Sequence, residues 1–479
     1  MAAVGSLRRD SVGIWELVFQ SMGQITPITI LAGLIVSIVG FALAASPLVM
    51  VISFIAVLLA GNTVFQFSKL VSHAGGYYAY TGRSLGPHAG IFTGLIYVLY
   101  QTANLCLEFL IVIWGFTKSL DYAFGLSLPP WVGIVWMGSM AALSLVLMLM
   151  GVKLSLRVSL VLGALQIILI AVISLFVIGR ASDNSFATFQ PLSAPGGWNG
   201  VFLGFVVGGY LAFAGYGSVV PMGEEARLPL KNIGRAVLLV ILIAGIVFIL
   251  GSYAMVVGYG ISNISTFSSQ VIPGLIVTKR FLGIAGAAFF IIVNTFFSTY
   301  GTVVGMGTPL TRVVYALSRD GVLPRKLSGT DARGTPRNSI IFSYGISMLI
   351  STLTGIAFWV SYGFYTGLFY AWAIFATVAT LATLLVHILS NTGLSVLAFR
   401  SERLVAFKIL TWVVFPSVTT VIMAIAYYYS LLGLTMPFLI APVVFVVWSA
   451  ISVLWVALSR GKISTLRYAT GNRDAVDGS

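Results

Sequence analysis

With 59% hydrophobic and 8% charged residues in 479 positions, and a mean hydropathy of +1.04, the sequence excludes an ordinary soluble domain, whose charged fraction is about 25%. Its apolar residues come in blocks of about 20 to 30, each long enough to cross a hydrocarbon core of roughly 30 Å. The expected fold class is an all-α polytopic membrane protein, and the net charge of +14 has to be read in that setting.

Helices are expected near residues 14–40, 47–70, 88–118, 131–150, 155–179, 199–223, 233–258, 285–315, 337–359, 363–391, 405–430 and 436–458. With the N-terminus inside, every one of the 26 Lys and Arg except Lys118, Arg180, Lys279 and Arg280 falls on the cytoplasmic side, a strong positive-inside bias. The basic charge therefore reads as topology and contact with anionic membrane lipid, and no nucleic acid partner is expected. A plasma-membrane protein with both termini cytoplasmic follows. The N-terminus runs to Arg8-Arg9-Asp10 without a small-residue cleavage site, so no cleavable signal peptide is expected. Cys106, the single cysteine, lies in an apolar run and reads as a small packing residue.

In chain order, the first helix carries Ser21-Met22-Gly23-Gln24-Ile25-Thr26-Pro27. Pro27 removes a backbone donor and Gly23 loosens the turn, which predicts a kink or an unwound segment. Between the second and third helices lies Ser72-His73-Ala74-Gly75-Gly76-Tyr77-Tyr78-Ala79-Tyr80, followed by Leu85-Gly86-Pro87. The third helix holds Glu108 deep in an apolar run. A carboxylate there costs several kcal/mol, so it should face a polar interior as a functional group or a protonated structural one.

The sixth helix meets Phe213-Ala214-Gly215-Tyr216-Gly217 in mid-span. In hydrocarbon every peptide group needs a partner, so such a break survives where it lines a polar cavity. Two interrupted helices in corresponding positions of two halves are a pointer to the binding site of an inverted-repeat transporter. On that reading freed carbonyls around Phe213 to Gly217 accept an ammonium group. A half-helix N-terminus, assigned to the backbone of Gly23, Gln24, Ile25 and Thr26, receives a carboxylate. A small ligand that carries both an ammonium and a carboxylate group suits such an arrangement.

Glu224-Glu225-Ala226-Arg227-Leu228-Pro229 follows the sixth helix and Arg312 to Arg319 ends the eighth. Opposite charges at two helix ends make Glu224, Glu225 and Arg312 a candidate inner gate. The plainer alternative is a solvated loop whose ion pairs contribute about 0 to 1 kcal/mol. Ser298, Thr299 and Thr302 on the eighth helix are hard oxygen ligands suited to Na⁺, or else hydroxyls bonding their own preceding turn. His73, His88 and His387 lack metal-motif spacing and read as interfacial polar residues. The sequence has no phosphate loop and no nucleophile motif, so neither an enzyme, a cofactor nor a metal is expected.

Three stretches carry a family resemblance. Gly75-Gly76-Tyr77-Tyr78-Ala79-Tyr80 with Leu85-Gly86-Pro87 resembles the "GG-x-Y-x-Y … lGP" signature of the amino acid–polyamine–organocation (APC) transporters. Glu224-Glu225-Ala226-Arg227-Leu228-Pro229 with Asn232-Ile233-Gly234-Arg235-Ala236 is similar to that family's "EEa-x-x-P-x-x-nIp-x-A". Arg312-Val313-Val314-Tyr315-Ala316-Leu317-Ser318-Arg319-Asp320-Gly321-Val322-Leu323-Pro324 resembles its "R-x-x-ya-x-a-R-D-G-x-lP".

The resemblance implies a leucine-transporter (LeuT) fold. A first inverted repeat would span 14–179 and a second 199–391. Helices eleven and twelve would lie in 400–458, between cytoplasmic ends at 1–13 and 459–479. It implies amino acid permease activity by alternating access, with Phe213 closing over substrate and any sodium site between helices one and eight. Leu107-Glu108-Phe109 is similar to a "LEY" motif in the branch with cationic amino acid transporters. Aligning Gly151-Val152-Lys153-Leu154-Ser155 with the family's "G-x-k-x-S" puts Gln166 where some proton-coupled relatives have a Lys. Proton symport through Glu108, with Gln166 as its hydrogen-bond partner, is the expected coupling. Sodium symport, exchange or a non-transporting nutrient sensor are the alternatives.

Overall fold

The computed structural model describes residues 6–28, 35–270, 272–400 and 405–458. The tail expected over 459–479 and the stretch 29–34 within the first expected helix lie outside the described residues, as does Arg403. The described chain forms sixteen α-helices. The first half holds α1 (Ile14–Ile25), α2 (Ile35–Ala42), α3 (Ser46–Ser68), α4 (Tyr77–Leu85), α5 (Pro87–Phe124), α6 (Pro130–Leu149), α7 (Val152–Arg180) and α8 (Trp198–Gly204). Then come α9 (Pro229–Tyr259), α10 (Pro273–Ile292), α11 (Thr299–Arg319), α12 (Arg337–Tyr362), α13 (Phe364–Phe399), α14 (Ala406–Ile409), α15 (Phe415–Leu431) and α16 (Ile440–Leu458). Among the described residues there is no strand, only one isolated parallel bridge between Val12 and Ala226. Ten stretches among the described residues are long and apolar enough to cross a membrane.

Local chemistry sets the helix ends. Proline occupies one of the first two positions of α3, α5, α6, α9 and α10, where its missing N–H has no intrahelical partner to lose. Gly125 at φ 68° and Gly260 at φ 103° stop α5 and α9 in backbone conformations that side-chain-bearing residues rarely adopt. The short helix α4, over the Tyr-rich motif, was not anticipated. Its apolar face is too brief to separate from a loop by periodicity.

The core is a bundle in which α1 packs against α7, α9 and α11, α3 lies along α9, and α13 lies along α5. Small residues let α1 come close to α11. A Cβ on Gly23 would sit 2.5 Å from the Gly301 carbonyl oxygen, and one on Gly305 would collide with the Gln24 backbone nitrogen. Such contacts are how membrane helices gain packing energy where lipid offers no hydrophobic contrast. Gly23→Ala is therefore expected to destabilise the fold by about 1–3 kcal/mol through overpacking, measured as a lower melting midpoint in detergent.

Candidate functional site

Both predicted interruptions are present, the first at the last residue of the stretch from Gly23 to Thr26. Helix α1 runs through Gly23, Gln24 and Ile25 and stops at Thr26, which is left-handed (φ 53°, ψ 74°). Thr26 precedes Pro27, whose ring disfavours the α conformation in the residue before it, so proline rather than Gly23 sets the break. The Thr26 N–H still bonds the Met22 carbonyl at 2.9 Å. Free N–H groups over Gly23 to Thr26 are thus not what this segment offers. The sixth span is more disrupted. After α8 come a π-turn over Phe205–Gly209, a 3₁₀ turn over Leu211–Phe213 and irregular turns through Ala214 to Val219, with Gly215 at φ 109°.

The two interrupted segments touch. Ser218 Oγ lies 3.0 Å from Ser21 Oγ, which also accepts from the Val219 N–H at 3.1 Å. Gly215 lies against Gln24, where a Cβ would come within 2.8 Å of its side chain. Gln24 Nε2 donates to Tyr100 Oη at 2.9 Å and to Gln101 Oε1 at 3.1 Å, tying α1 to α5. Among the described residues, no hydrogen bond is made by the Ala214 and Tyr216 carbonyls or by the Gly215 and Gly217 N–H groups. The π-turn and the missing helical bonds free polar backbone at membrane depth, a feature concentrated at functional sites.

A small cavity opens beside the second break, lined by Tyr210, Phe213, Ala214, Tyr216, Thr383, His387 and Met423. The hydroxyls of Tyr210 and Tyr216 are buried with no partner among the described residues. Phe213 also lines this cavity, but its ring is buried edge-on against Phe248 of α9 at 5.0 Å between centroids. The aromatic over His387 is Tyr216, with ring centroids 5.3 Å apart. His387 is not interfacial: Nδ1 lies 2.8 Å from the Thr383 carbonyl and Nε2 lies 3.2 Å from Tyr77 Oη. His387 is half-buried and His73 buried, and of the three histidines only His88 is exposed. The Tyr77–Tyr216–His387 cluster had no signal in sequence spacing, since its members come from three distant segments.

The first break faces α11. Thr26 Oγ1 and Thr302 Oγ1 are 2.6 Å apart, and Thr302 also bonds the Ser298 carbonyl at 2.8 Å. Ser298 and Thr299 are buried at the junction where a π-turn (Val293–Ser298) enters α11. Glu108, half-buried on α5, makes no hydrogen bond or ion pair among the described residues. Gln166 is buried with its Nε2 unpartnered. No hydrogen bond joins Glu108 to Gln166, so the expected partnership is not formed in this conformation.

The charged residues after the sixth and eighth spans meet as a layered cluster. Arg312 is clamped to Glu225 through Nε–Oε2 at 2.8 Å and Nη2–Oε1 at 3.2 Å, with 2% and 1% side-chain exposure. Nearer solvent, Arg319 donates to both Glu224 oxygens at 2.8 and 2.9 Å, and Glu224 Oε1 also accepts from the Ala74 N–H. Burial pushes the Glu224 carboxyl up, but hydrogen bonds and charge from Arg319 outweigh it and hold the group below the ordinary carboxylate value. Burial holds His73 below its usual value, against the pull of Glu224 and Asp320. Its Nε2 lies 2.8 Å from Arg319 Nη2. The N-terminal segment closes over this layer: the Ser11 and Val12 N–H groups bond the Glu225 carbonyl at 2.9 and 3.1 Å, and the Arg227 N–H bonds the Val12 carbonyl at 2.9 Å.

A depressed carboxylate contributes stability that is present above its unfolded value and lost as pH falls through the folded one. Glu224→Gln should accordingly lower the melting midpoint at neutral pH by the equivalent of about 1 kcal/mol or less. Melts of wild type and variant should converge as pH falls into the acid range.

A family model described as "Amino acid permease" matches residues 16–465. The low-affinity putrescine importer PlaP of Escherichia coli K12 is 26% identical over 303 residues, covering 60% of this chain and 63% of that protein, just under two thirds of its length. The branched-chain amino acid permease BcaP of Bacillus subtilis is 25% identical over 378 residues, or 73% of this chain and 75% of the relative. BcaP of Lactococcus lactis subsp. cremoris is 24% identical over 212 residues, or 42% and 43%. With the family model spanning nearly all of the described helices, the chain belongs to the amino acid permease family of the APC superfamily.

Proposed function

We propose that this protein is a secondary active transporter that carries amino acids across the plasma membrane by alternating access. The observation that carries the reading is the contact between two interrupted spans, Ser21 and Gln24 on one and Gly215, Ser218 and Val219 on the other. Broken helices meeting at membrane depth offer free backbone groups to a zwitterion. In this reading the ammonium group binds at the carbonyls of Ala214 and Tyr216. Counting the two interrupted segments with the ten long ones gives twelve spans. Each break falls in the first helix of its half, which supports inverted repeats over 14–179 and 199–391. The clustered Glu225, Arg312 and Arg319 face is taken as the closed cytoplasmic side, with both termini there.

Amino acids are favoured over diamines as substrate. Among the described residues Glu108 is the one carboxylate away from the ends of the long spans, and with that group carrying the coupling proton the second ammonium of a diamine would lie unmatched at high cost. Coupling is assigned to a proton on Glu108. Sodium is the second reading, favoured by the 2.6 Å approach of Thr26 and Thr302 hydroxyls between the first span and α11. Purified protein in liposomes tests all of this with labelled leucine, isoleucine, valine and putrescine under imposed pH or Na⁺ gradients. The reading expects amino acid accumulation driven by inward-directed protons. Binding without flux would instead identify a sensor, and uptake of putrescine alone would overturn the substrate assignment.

A further inference from the structure

On the face that carries the N-terminal segment, a cleft of about 200 Å³ is lined by Arg8, Met150, Gly151, Val152, Lys153, Leu154, Arg157, Arg333, Gly334 and Thr335. Four of these are cations and none is an acid. They come from three distant parts of the chain: the N-terminal segment, the start of α7 and the loop before α12. Among the described residues the side chains of Arg8, Lys153 and Arg157 make no hydrogen bond or ion pair. Arg333 is held in place, its Nη1 donating to the Met150 carbonyl at 3.0 Å. The nearby carboxylate of Asp331 is turned into its own loop, where Oδ1 accepts from the Arg333 and Thr335 N–H groups at 2.9 Å each.

The walls of the cleft are fixed by backbone. Gly334 has φ 74°, and a Cβ there would come within 2.8 Å of the Arg8 nitrogen, so the loop seats the N-terminal segment closely. At the inner end, α7 begins at Val152 after Gly151, with no side chain capping its first turn. Free N–H groups and the positive end of a 29-residue helix dipole therefore add to the four side-chain charges. Like charges gathered around one cleft repel, and a doubly charged oxyanion removes that repulsion while engaging guanidinium forks directly.

We propose that this cleft binds a phosphoryl group, from a lipid headgroup or from a soluble phosphate, and that the bound anion fastens the N-terminal segment. Arg8 is three residues from Ser11, whose N–H bonds the Glu225 carbonyl. An anion bridging Arg8 to Lys153, Arg157 and Arg333 ties that segment to α7 and α12 and stabilises the face on which Glu225 and Arg312 are paired. The site is independent of the transported substrate.

Tryptic cleavage after Arg8 and Arg9 reads the bound state. Intact protein is placed in phosphatidylcholine nanodiscs, either alone, with added inorganic phosphate, or with phosphatidate in the bilayer, at matched ionic strength in chloride. At a phosphate concentration ten times its dissociation constant, cleavage at Arg8 and Arg9 should slow about tenfold. Lys153→Gln with Arg157→Gln leaves the cleavage site intact and should remove the protection, as should Arg333→Gln alone. Protection by inorganic phosphate in plain nanodiscs identifies a soluble ligand, and protection by phosphatidate alone identifies a lipid. Equal cleavage in phosphate, phosphatidate and chloride, or equal protection in the variants, overturns the proposal.

Discussion

Glu225→Arg is expected to abolish accumulation of labelled amino acid, and Arg312→Glu in the same chain to restore a substantial part of it. The two side chains form a bidentate pair with almost no solvent access. Removing one partner of such a pair costs about 3–5 kcal/mol, because the remaining charge is left unmatched. If the pair forms only while this face is closed, that cost falls on the closed conformation and reduces its population by about two to four decades. The backbone adds to the effect, since the Glu225 carbonyl holds the N-terminal segment through Ser11 and Val12. Gel filtration of each single variant distinguishes a lost gate from a lost fold, and the double variant should recover both. Normal transport by either single reversal would remove Glu225 and Arg312 from the gate.

Glu108→Gln is expected to lose pH-driven accumulation while keeping exchange of substrate across the membrane. A charge at this depth is costly, and among the described residues nothing pairs with this carboxyl. Glutamine keeps the shape and removes the proton. With one proton per substrate, a gradient of one pH unit drives about tenfold accumulation, so the variant should bring that ratio to unity. The sodium reading makes a different pattern. Uptake would need external Na⁺, and Thr302→Ala, which deletes the hydroxyl 2.6 Å from Thr26, would abolish that need. A Glu108→Gln variant that still concentrates substrate under a pH gradient would exclude Glu108 as the carrier.

Much of this architecture is legible in the sequence because hydrocarbon leaves a chain few options. A run of apolar residues must be a helix there, and two glycines within one, Gly215 and Gly217, report a break that a polar cavity has to support. The pairing of Glu225 with Arg312 was readable for a similar reason, as opposite charges at the ends of two spans must find each other or solvent. The first break falls on Thr26, the last residue of the expected stretch, although Gly23 looked like the loosening residue. Its missing side chain serves the close approach to Gly301 instead, and Pro27 acts on Thr26. Phe213 was expected over the substrate and packs on Phe248, while Tyr216 covers His387. That choice between neighbouring aromatics depends on which way an unwound segment turns, and no periodicity records it. The cleft of Arg8, Lys153, Arg157 and Arg333 looked in sequence like general positive charge. Only the fold brings those four residues together.

The central claim is that substrate binds at the unwound segment of the sixth span, and protection of a single cysteine there tests it most directly. With the buried Cys106 replaced by alanine, Ala214→Cys places the one thiol beside the free carbonyls lining the cavity. Alkylation in liposomes would be timed with and without the amino acid identified by uptake, with Leu228→Cys as an exposed control. The account predicts that substrate slows alkylation at position 214 by about tenfold at ten times its dissociation constant, and leaves position 228 unchanged. A protein that still transports the amino acid while position 214 reacts at the same rate in its presence would contradict it.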